Sequence, residues 1–474
     1  MRLRAHSVSA PASLAVALLA LAGCAKRAEA PATMTSTATQ AATVATTPPV
    51  AAAAGEKGSV EKGSTESSGA ACPAPALTAF EQLQPIVALP DPFLAVNGQR
   101  ISSKADWVCR RAEIAAQVQE YELGPKPPRP STVTGSFEGG RLGITASEGG
   151  KTVSFSVGIT RPENAPAGPI PALIVIGRSS LSPFFASKGV AVIDFDNNAM
   201  GAQGNQGDGA ARTNTRGQGT FYELYGKEHP ASSMMAWAWG VSRIIDALAA
   251  TPAANIDVQH LAVTGCSRNG KGTLVVGAFD ERIALTVPQE SGAGGSASWR
   301  ISQAQMDAYR AKNPNPKGGE GVQTLASATG EQPWFRASFA QFGKSSEDVQ
   351  RLPFDHHMVL GLVAPRALFV LDNTDMMWLG DESSFTNLVA ASEIWKGLGA
   401  ADAMGASQVG GHPHCRDVPQ PQLDELGAFV DKFLLEKRLD KLLDKNGAST
   451  SVLRSDRISP DRARWIPWST PELK

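Results

Sequence analysis

A short segment in the middle of the chain constrains the fold more than any other feature. The apolar, β-branched run at 261–264 predicts a buried strand, and a helix-like run begins at Lys271. Only the hexapeptide GCSRNG, residues 265–270, separates the two runs. A chain that passes from strand to helix through so short a turn holds the turn residue in strained backbone and needs small residues two positions away. Gly265 satisfies this need, and Asn269 occupies the position where a second glycine is usual.

This context predicts that Ser267 lies at the tip of the turn as a nucleophile. The backbone N–H of Arg268 would then point from the start of the helix towards an oxyanion that develops during acyl transfer. The alternative is that Ser267 only caps the helix after a glycine turn.

Short strands alternate with helices through most of the chain. Runs typical of strands lie at 152–157, 172–176, 190–195, 261–264 and 367–371. Runs typical of helices lie at 233–248, 271–278, 383–398 and 423–437. This alternation predicts an α/β protein with a mostly parallel sheet covered on both faces. Together with the turn at Ser267, it predicts an α/β-hydrolase fold, a three-layer sandwich. The Gly- and Asn-rich stretch from Asn197 to Gly219 is expected to be a surface loop.

The N-terminus is typical of an export signal. Three basic residues, at 2, 4 and 6, precede an apolar run at 10–22 that is too short to span a bilayer comfortably. The segment LAGC at 21–24 resembles a bacterial lipobox, so we expect residues 1–23 to be a lipoprotein signal peptide and Cys24 to carry lipid. The residue after Cys24 is Ala25 and not Asp. By resemblance to sorted lipoproteins, this favours a location in the outer membrane. The alternative is a plain secretory signal without a lipid.

The rest of the chain divides at Cys72. Residues 24–71 are mostly Ala, Thr, Ser, Gly, Pro and Glu, which predicts a disordered tether because such a segment buries too little apolar surface to order itself. Residues 72–474 are expected to form the catalytic domain, including a C-terminal tail from 447 to which the sequence assigns no role. We expect a monomer that reaches the membrane only through its lipid anchor.

Charge and metal-binding patterns exclude several classes of protein. The formal net charge is −1 and 19% of residues are charged, which argues against a nucleic-acid partner. His412 and His414 lack a third ligand in a metal-binding pattern, so we expect no metal site. Acyl transfer through a serine nucleophile needs no organic cofactor either, and we expect none. Of the five cysteines, four are left if Cys24 carries lipid, and four cysteines allow three pairings.

A histidine and an acid are expected to follow the serine along the chain. Only seven histidines occur, and two of them lie in VGGHPHC at 409–415, between an apolar strand-like run and the final helix. Either could be the base. Glu290 is the candidate acid, because it follows the strand-like run at 283–287 and a carboxylate at the C-terminal end of a parallel strand lies on the active-site edge.

Four blocks of sequence resemble glucuronoyl esterases, carbohydrate esterase family 15. The longest is VTGCSRNGKGTLVVGAFDERIALTVPQESGAGG at 263–295. The others are QTL at 323–325 with Glu331, DNTDMMWLG at 372–380, and GHPHC at 411–415. The resemblance implies a serine esterase that cleaves the ester between 4-O-methyl-glucuronic acid of glucuronoxylan and an alcohol, such as a lignin alcohol, through an acyl-enzyme. The rival interpretations are an acetyl-xylan esterase and a non-catalytic, lipid-tethered carbohydrate-binding protein.

The resemblance also implies roles for individual residues. Ser267 matches the family nucleophile, Glu290 the acid and Arg268 the oxyanion arginine. His414 matches the base, since the family histidine directly precedes a cysteine. Asp355 matches a second carboxylate that some bacterial relatives use. The residues that match sugar contacts are Lys271, Gln323, Glu331 and Trp378. If Ser267 and His414 are neighbours, Cys266 and Cys415 lie on adjacent loops, so we expect Cys266–Cys415 and Cys72–Cys109 disulfides, as related esterases brace these loops with a disulfide.

Overall fold

Ten strands of the described residues pair into one sheet. The computed structural model describes residues 72–204, 214–317, 319–437 and 452–474. The strands are β1 Thr132–Glu138, β2 Arg141–Glu148, β3 Lys151–Thr160, β4 Ile170–Ile176, β5 Ala191–Phe195, β6 Ile256–Cys266, β7 Ile283–Gln289, β8 Ala367–Asp372, β9 Met404–Gln408 and β10 Leu453–Ser455. Across the sheet they lie in the order β1-β2-β3-β5-β4-β6-β7-β8-β9-β10. The first three strands pair antiparallel with their neighbours, and every pair from β5 onwards is parallel. The predicted leader, the lipidation site Cys24 and the tether lie outside the described residues.

Helices connect most of the strands. The α-helices are α1 Lys104–Val118, α2 Ser182–Ser187, α3 Asn197–Met200, α4 Thr220–Tyr225, α5 Ser233–Ala250, α6 Arg268–Phe279, α7 Trp299–Lys312, α8 Leu325–Glu331, α9 Ser346–Gln350, α10 His356–Gly361, α11 Asp381–Gly397, α12 Gln420–Phe433 and α13 Arg462–Trp465. A π-helical turn spans Gln119–Leu123, and 3-10 turns span Phe80–Gln82, Pro252–Ala254, Ala337–Gly343, Met377–Leu379 and Ala401–Ala403. Among the ranges described, no helix combines the length and the apolar character that crossing a bilayer requires.

Both faces of the sheet are covered, as the sequence predicts. Successive side chains of a strand point to opposite faces. In β4, Ile174 and Ile176 accordingly join the apolar core that contains the buried residues of α5 and α6. Leu173 and Val175 join the separate core formed with α2 and α12. The result is the three-layer arrangement of the α/β-hydrolase fold.

The sequence-based elements are confirmed with small shifts of their ends, with one exception. The segment expected to be a loop from Asn197 begins instead with helix α3, since the Asp196 side chain caps it by accepting a hydrogen bond from Ala199 N at 3.0 Å. Residues 205–213 of that expected loop lie outside the residues that the structure describes. Four neighbouring parallel strands, β6 to β9, end at the same edge of the sheet, and this edge carries the candidate site.

Candidate active site

Ser267 lies between the end of β6 and the start of α6 in an unusual backbone conformation, with φ 60° and ψ −127°. Few non-glycine residues adopt a positive φ, so the surroundings must hold it there. Ser267 N donates to Gln289 O of β7 at 3.0 Å, and Lys271 N donates to Ser267 O at 3.1 Å. The Ser267 side chain makes no capping hydrogen bond. The interpretation of Ser267 as a simple helix cap therefore has no support from its geometry.

The glycines around Ser267 are required by close backbone contacts. A Cβ on Gly265 would lie 2.7 Å from Asn269 O, and a Cβ on Gly270 would lie 2.6 Å from Gln289 O. The second obligatory glycine is thus at 270, one position later than the usual pattern. This leaves room for Asn269, whose Oδ1 accepts a hydrogen bond from Asn197 Nδ2 at 3.0 Å.

His414 is held by Glu290. His414 Nδ1 lies 2.6 Å from Glu290 Oε2, and Cys415 N donates to both oxygens of that carboxylate at 3.1 Å. Glu290 follows the last residue of β7, is 1% exposed and has a φ of 45°. His414 is part of the segment 409–415, here called the histidine loop, which follows β9. A hydrogen bond at Nδ1 leaves Nε2 of His414 as the ring nitrogen available for proton transfer.

His412 of the same loop has a different environment. Its Nε2 lies 3.1 Å from Val409 O and its Nδ1 lies 3.0 Å from Arg416 O, so both ring nitrogens contact backbone carbonyls. The ring is also buried. These contacts brace the histidine loop and leave neither nitrogen free for Ser267.

The two disulfides have the pairing that the sequence predicts. Cys266 and Cys415 are bonded at 2.09 Å with a Cα–Cα distance of 5.7 Å, which joins the residue before Ser267 to the residue after His414. Cys72 and Cys109 are bonded at 2.03 Å and attach the first described residue to α1. Both sulfurs of the first pair lie within 4.8 Å of the His414 and Glu290 ligand atoms. A disulfide sulfur carries no thiolate charge, so this cluster lacks the ligands for a metal.

The hydrogen bonds of the Asp355 carboxylate go to groups other than His414, so they do not support the expectation that it is a second acid. Its carboxylate accepts hydrogen bonds from Ser298 Oγ at 2.9 Å, Arg300 Nη1 at 3.0 Å and His356 N at 2.7 Å. Burial is the largest influence and opposes its ionisation, but the Arg300 charge, the neighbouring His357 and His356 and the hydrogen bond from His356 N together outweigh it, so the pKa of Asp355 is lowered. The residue is fully buried and caps α10, so we propose that it has a structural role.

Asp372 is a further carboxylate near Glu290, and its role was not predicted from the sequence. It is the last residue of β8 and is 1% exposed. Burial, and to a smaller degree the Glu290 charge, raise the pKa of Asp372 to about 6. Its Oδ2 accepts a hydrogen bond from Ser384 Oγ. The rule that singled out Glu290, a carboxylate at the end of a buried parallel strand, applies equally to Asp372 and could have found it.

The four candidate sugar residues form one connected group. The Lys271 ammonium donates to Gln323 Oε1 at 2.9 Å, and Gln323 Nε2 donates to Glu331 Oε1 at 2.8 Å. Gln323 N donates to Trp378 O at 3.0 Å, while the Trp378 ring is partly exposed. Lys271 also donates to two backbone carbonyls, including Ala293 O at 2.6 Å, and burial lowers its pKa to about 8. All three Lys271 protons therefore have protein acceptors, so Lys271 orients Gln323 and does not offer a free donor.

Arg268 lies at the N-terminus of α6, next to Ser267. Its side chain is partly buried, and burial lowers the pKa of the guanidinium, while the Glu331 charge acts in the opposite direction. Its position directly after Ser267 makes Arg268 a candidate to stabilise negative charge that develops on a substrate during acyl transfer.

Comparison with known proteins places these residues in a family. The family model described as "Glucuronyl esterase, fungi" matches residues 144–399. A 4-O-methyl-glucuronoyl methylesterase of Hypocrea jecorina is 46% identical over 409 residues, which cover 86% of this chain and 81% of the relative. The chain belongs to the glucuronoyl esterase family. An esterase of the same name from Cerrena unicolor is 43% identical over 81% of this chain and 76% of its own length.

Solved glucuronoyl esterase structures agree with this assignment. The catalytic domain of the Hypocrea jecorina enzyme has a TM-score of 0.73 with 46% identity, covering 83% of this chain and 99% of that domain. A serine-to-alanine mutant from Sporotrichum thermophile, solved with methyl 4-O-methyl-β-D-glucopyranuronate, has a TM-score of 0.72 with 39% identity, covering 85% of this chain and all of that one. The segment matched by the glucuronoyl esterase family model includes Ser267, Glu290 and the sugar group, and it ends before His414.

Proposed function

We propose that this chain is a serine esterase that hydrolyses the ester between 4-O-methyl-D-glucuronic acid of glucuronoxylan and an alcohol, including a lignin alcohol. The observation that carries the proposal is the 2.6 Å contact of His414 Nδ1 with the buried Glu290 carboxylate. A disulfide ties this histidine loop to the residue before Ser267. The methyl glucuronate bound in the Sporotrichum thermophile relative supports the substrate class.

The reaction proceeds in two acyl-transfer steps. Ser267 Oγ attacks the ester carbonyl carbon while its proton passes to Nε2 of His414. The C–O bond to the alcohol breaks, and the alcohol leaves with that proton. Water then attacks the acyl-enzyme, again losing a proton to His414, and the Ser267 oxygen leaves as the restored hydroxyl. Glu290 keeps the ring oriented and stabilises the transient imidazolium charge. The chemistry needs neither a metal nor an organic cofactor.

Charge on the carbonyl oxygen is stabilised from the start of α6. The Arg268 backbone N–H and guanidinium are the proposed donors, at the positive end of the helix dipole. In this fold a second N–H comes from the loop after the strand that corresponds to β4, which here begins with Gly177 and Arg178. These two residues were not identified from the sequence, although a glycine directly after a buried strand is a signal for such a loop.

Recognition of the uronate is assigned to the connected group described above. Gln323 and Glu331 have oxygen and nitrogen atoms that match sugar hydroxyls, and Trp378 presents an apolar face to the pyranose ring. Lys271 supports them through its bond to Gln323 and through its positive charge.

We further propose that the enzyme is exported, that its signal peptide is removed and that lipid on Cys24 anchors a monomer to the outer membrane. The two disulfides support an oxidising compartment, since such bonds persist mainly outside the cytoplasm. Incorporation of labelled fatty acid by the expressed chain, and its loss in a Cys24→Ala variant, would test the anchor. Equal labelling of both proteins would refute it.

The experiment that tests the function compares three esters at equal concentration. We expect rapid hydrolysis of benzyl D-glucuronate, faster hydrolysis of its 4-O-methyl derivative, and release of acetate from acetylated xylan at least about 10²-fold slower, since a site that hydrogen-bonds a sugar discriminates strongly. Preference for acetylated xylan would indicate an acetyl-xylan esterase. Binding of glucuronoxylan fragments without turnover of any ester would indicate a carbohydrate-binding protein.

A further inference from the structure

The C-terminal tail, residues 452–474, adds the last strand of the sheet, next to β9. Its strand β10 pairs in parallel with β9, with Arg454 opposite Ser407. Just beyond β10, Asp456 N donates to Gln408 O at 3.1 Å. Gln408 is the last residue of β9, so the tail turns away from the sheet where the histidine loop begins.

Two carboxylates bind successive N–H groups of the histidine loop. Asp456 Oδ2 in the tail accepts from Gly410 N at 2.9 Å. Asp375 Oδ2, in the segment 373–380 here called the tryptophan loop, accepts from Gly411 N. Arg457 of the tail is ion-paired with the same Asp375 carboxylate and donates to Thr374 O at 3.3 Å. Three chain segments therefore meet at this glycine pair.

The packing around Gly410 is tight. A Cβ at this position would lie 2.7 Å from Asp375 Oδ1 and from Thr374 Oγ1, and 2.8 Å from Arg457 Nη2. A methyl group at this position would therefore displace the ends of these three side chains from the histidine loop. Two consecutive glycines have wide conformational freedom unless external contacts restrict them.

We propose that Asp456 and Arg457 are positioning residues for the esterase reaction. Asp456 holds Gly410 and thereby fixes the course of the histidine loop from Gly410 to His414. Arg457 binds Asp375 and so helps to hold the tryptophan loop against the histidine loop. The tryptophan loop carries Trp378, whose backbone oxygen accepts a hydrogen bond from Gln323 N. The inference rests on the proposed function, because the tail is taken to align His414, the proposed base, with the residues proposed to bind the sugar.

The groups involved are exposed, and this shapes the expected effect. The Arg457 and Asp375 side chains are 51% and 40% exposed, so their pair contributes little to overall stability. Small displacements of a catalytic group, in contrast, reduce turnover strongly, by as much as about 10²-fold for 1 Å. Loss of the tail contacts should therefore lower activity while the melting temperature hardly changes.

Two substitutions separate the two parts of the proposal. Asp456→Ala removes the acceptor for Gly410 N, so kcat for benzyl glucuronate should fall about 10-fold with KM within twofold. Asp456→Asn keeps an oxygen acceptor and should restore most of kcat. Arg457→Met releases Asp375 as well, so it should lower kcat and also raise KM. The matched control is Arg462→Met in the same tail, which loses an ion pair with Glu393 away from the histidine loop and should leave both constants unchanged.

Gly410→Ala provides a variant that deletes no polar group. Its methyl group would displace the Asp375 carboxylate and the Arg457 guanidinium from the histidine loop, and kcat should fall about 10-fold. All variants are compared by thermal melts and with phenyl acetate as a second ester. The proposal is overturned if Asp456→Ala or Gly410→Ala retains the wild-type kcat, if Asp456→Asn fails to restore it, or if Arg462→Met loses as much. Should wild type cleave phenyl acetate but no glucuronate ester, the proposed function fails, while the variant-to-wild-type ratios on phenyl acetate still decide the positioning role.

Discussion

Removing the Cys266–Cys415 disulfide should damage stability and catalysis together, whereas removing Cys72–Cys109 should damage stability alone. The two bonds close loops of 149 and 37 residues. In the chain-entropy model these lengths correspond to upper bounds of about 5 and about 4 kcal/mol. The two double alanine variants should therefore lose similar free energies of unfolding, which makes the remote pair a matched control for the pair at the site.

Catalysis should distinguish the two variants. The Cys266–Cys415 bond links the residue before Ser267 to the residue after His414, so without it the distance between the two side chains is less restricted. We expect kcat for benzyl glucuronate to fall at least about 10-fold in Cys266→Ala/Cys415→Ala, from loss of alignment. In Cys72→Ala/Cys109→Ala it should stay within twofold of wild type.

The assay combines urea unfolding, which gives the free-energy change, with kinetics measured well below each melting temperature so that only folded enzyme is compared. Equal kcat values in the two variants would refute the proposed bracing of serine and histidine. So would a loss of kcat in the remote variant as large as in the site variant, because the effect would then follow stability and not geometry.

Three further results are expected. Arg268→Ala should lower kcat about 10²-fold and change KM little, because the charge it stabilises exists only in the transition state; an effect confined to KM would contradict this. Glu290→Gln should lower kcat at least about 10²-fold, whereas Asp355→Asn should lower the melting temperature and spare the kcat of the folded fraction; the reverse pattern would restore Asp355 as the acid. The pKa of Asp372 is raised from 3.8 to about 6, so its contribution to stability is full below pH 4 and is lost as the pH rises through 6. The free energy of unfolding of Asp372→Asn should then exceed that of wild type by up to about 3 kcal/mol above pH 6 and should equal it below pH 4, as urea unfolding at both pH values would show.

The alternation of strands and helices along the chain predicted the parallel sheet, and the local pattern around Ser267 was enough to predict the turn and the nucleophile. Its information is short-range: a buried strand, a small residue and a helix start follow one another within a few positions. Glu290 was found for the same reason, as a carboxylate directly after a strand. The helix α3 was missed because one side chain, Asp196, converts a Gly- and Asn-rich stretch into a capped turn.

Long-range partners could not be predicted in this way. Asp355 looked suitable from its position in the chain, but Arg300, 55 residues earlier, binds its carboxylate. Lys271 looked like a sugar donor, yet all its protons have acceptors that only the folded chain brings together. The role of the C-terminal tail depends on Asp456 and Gly410, 46 residues apart, which no local pattern connects.

Ser267 is the proposed nucleophile of this glucuronoyl esterase. The most direct test of this role is kcat/KM for benzyl glucuronate with wild type and Ser267→Ala, together with the dissociation constant of glucuronic acid for both proteins. We expect a loss on the order of 10⁴-fold or more in kcat/KM and an unchanged dissociation constant, because the substitution removes the attacking oxygen and leaves the sugar site intact. Retention of more than a tenth of the wild-type activity would contradict the claim.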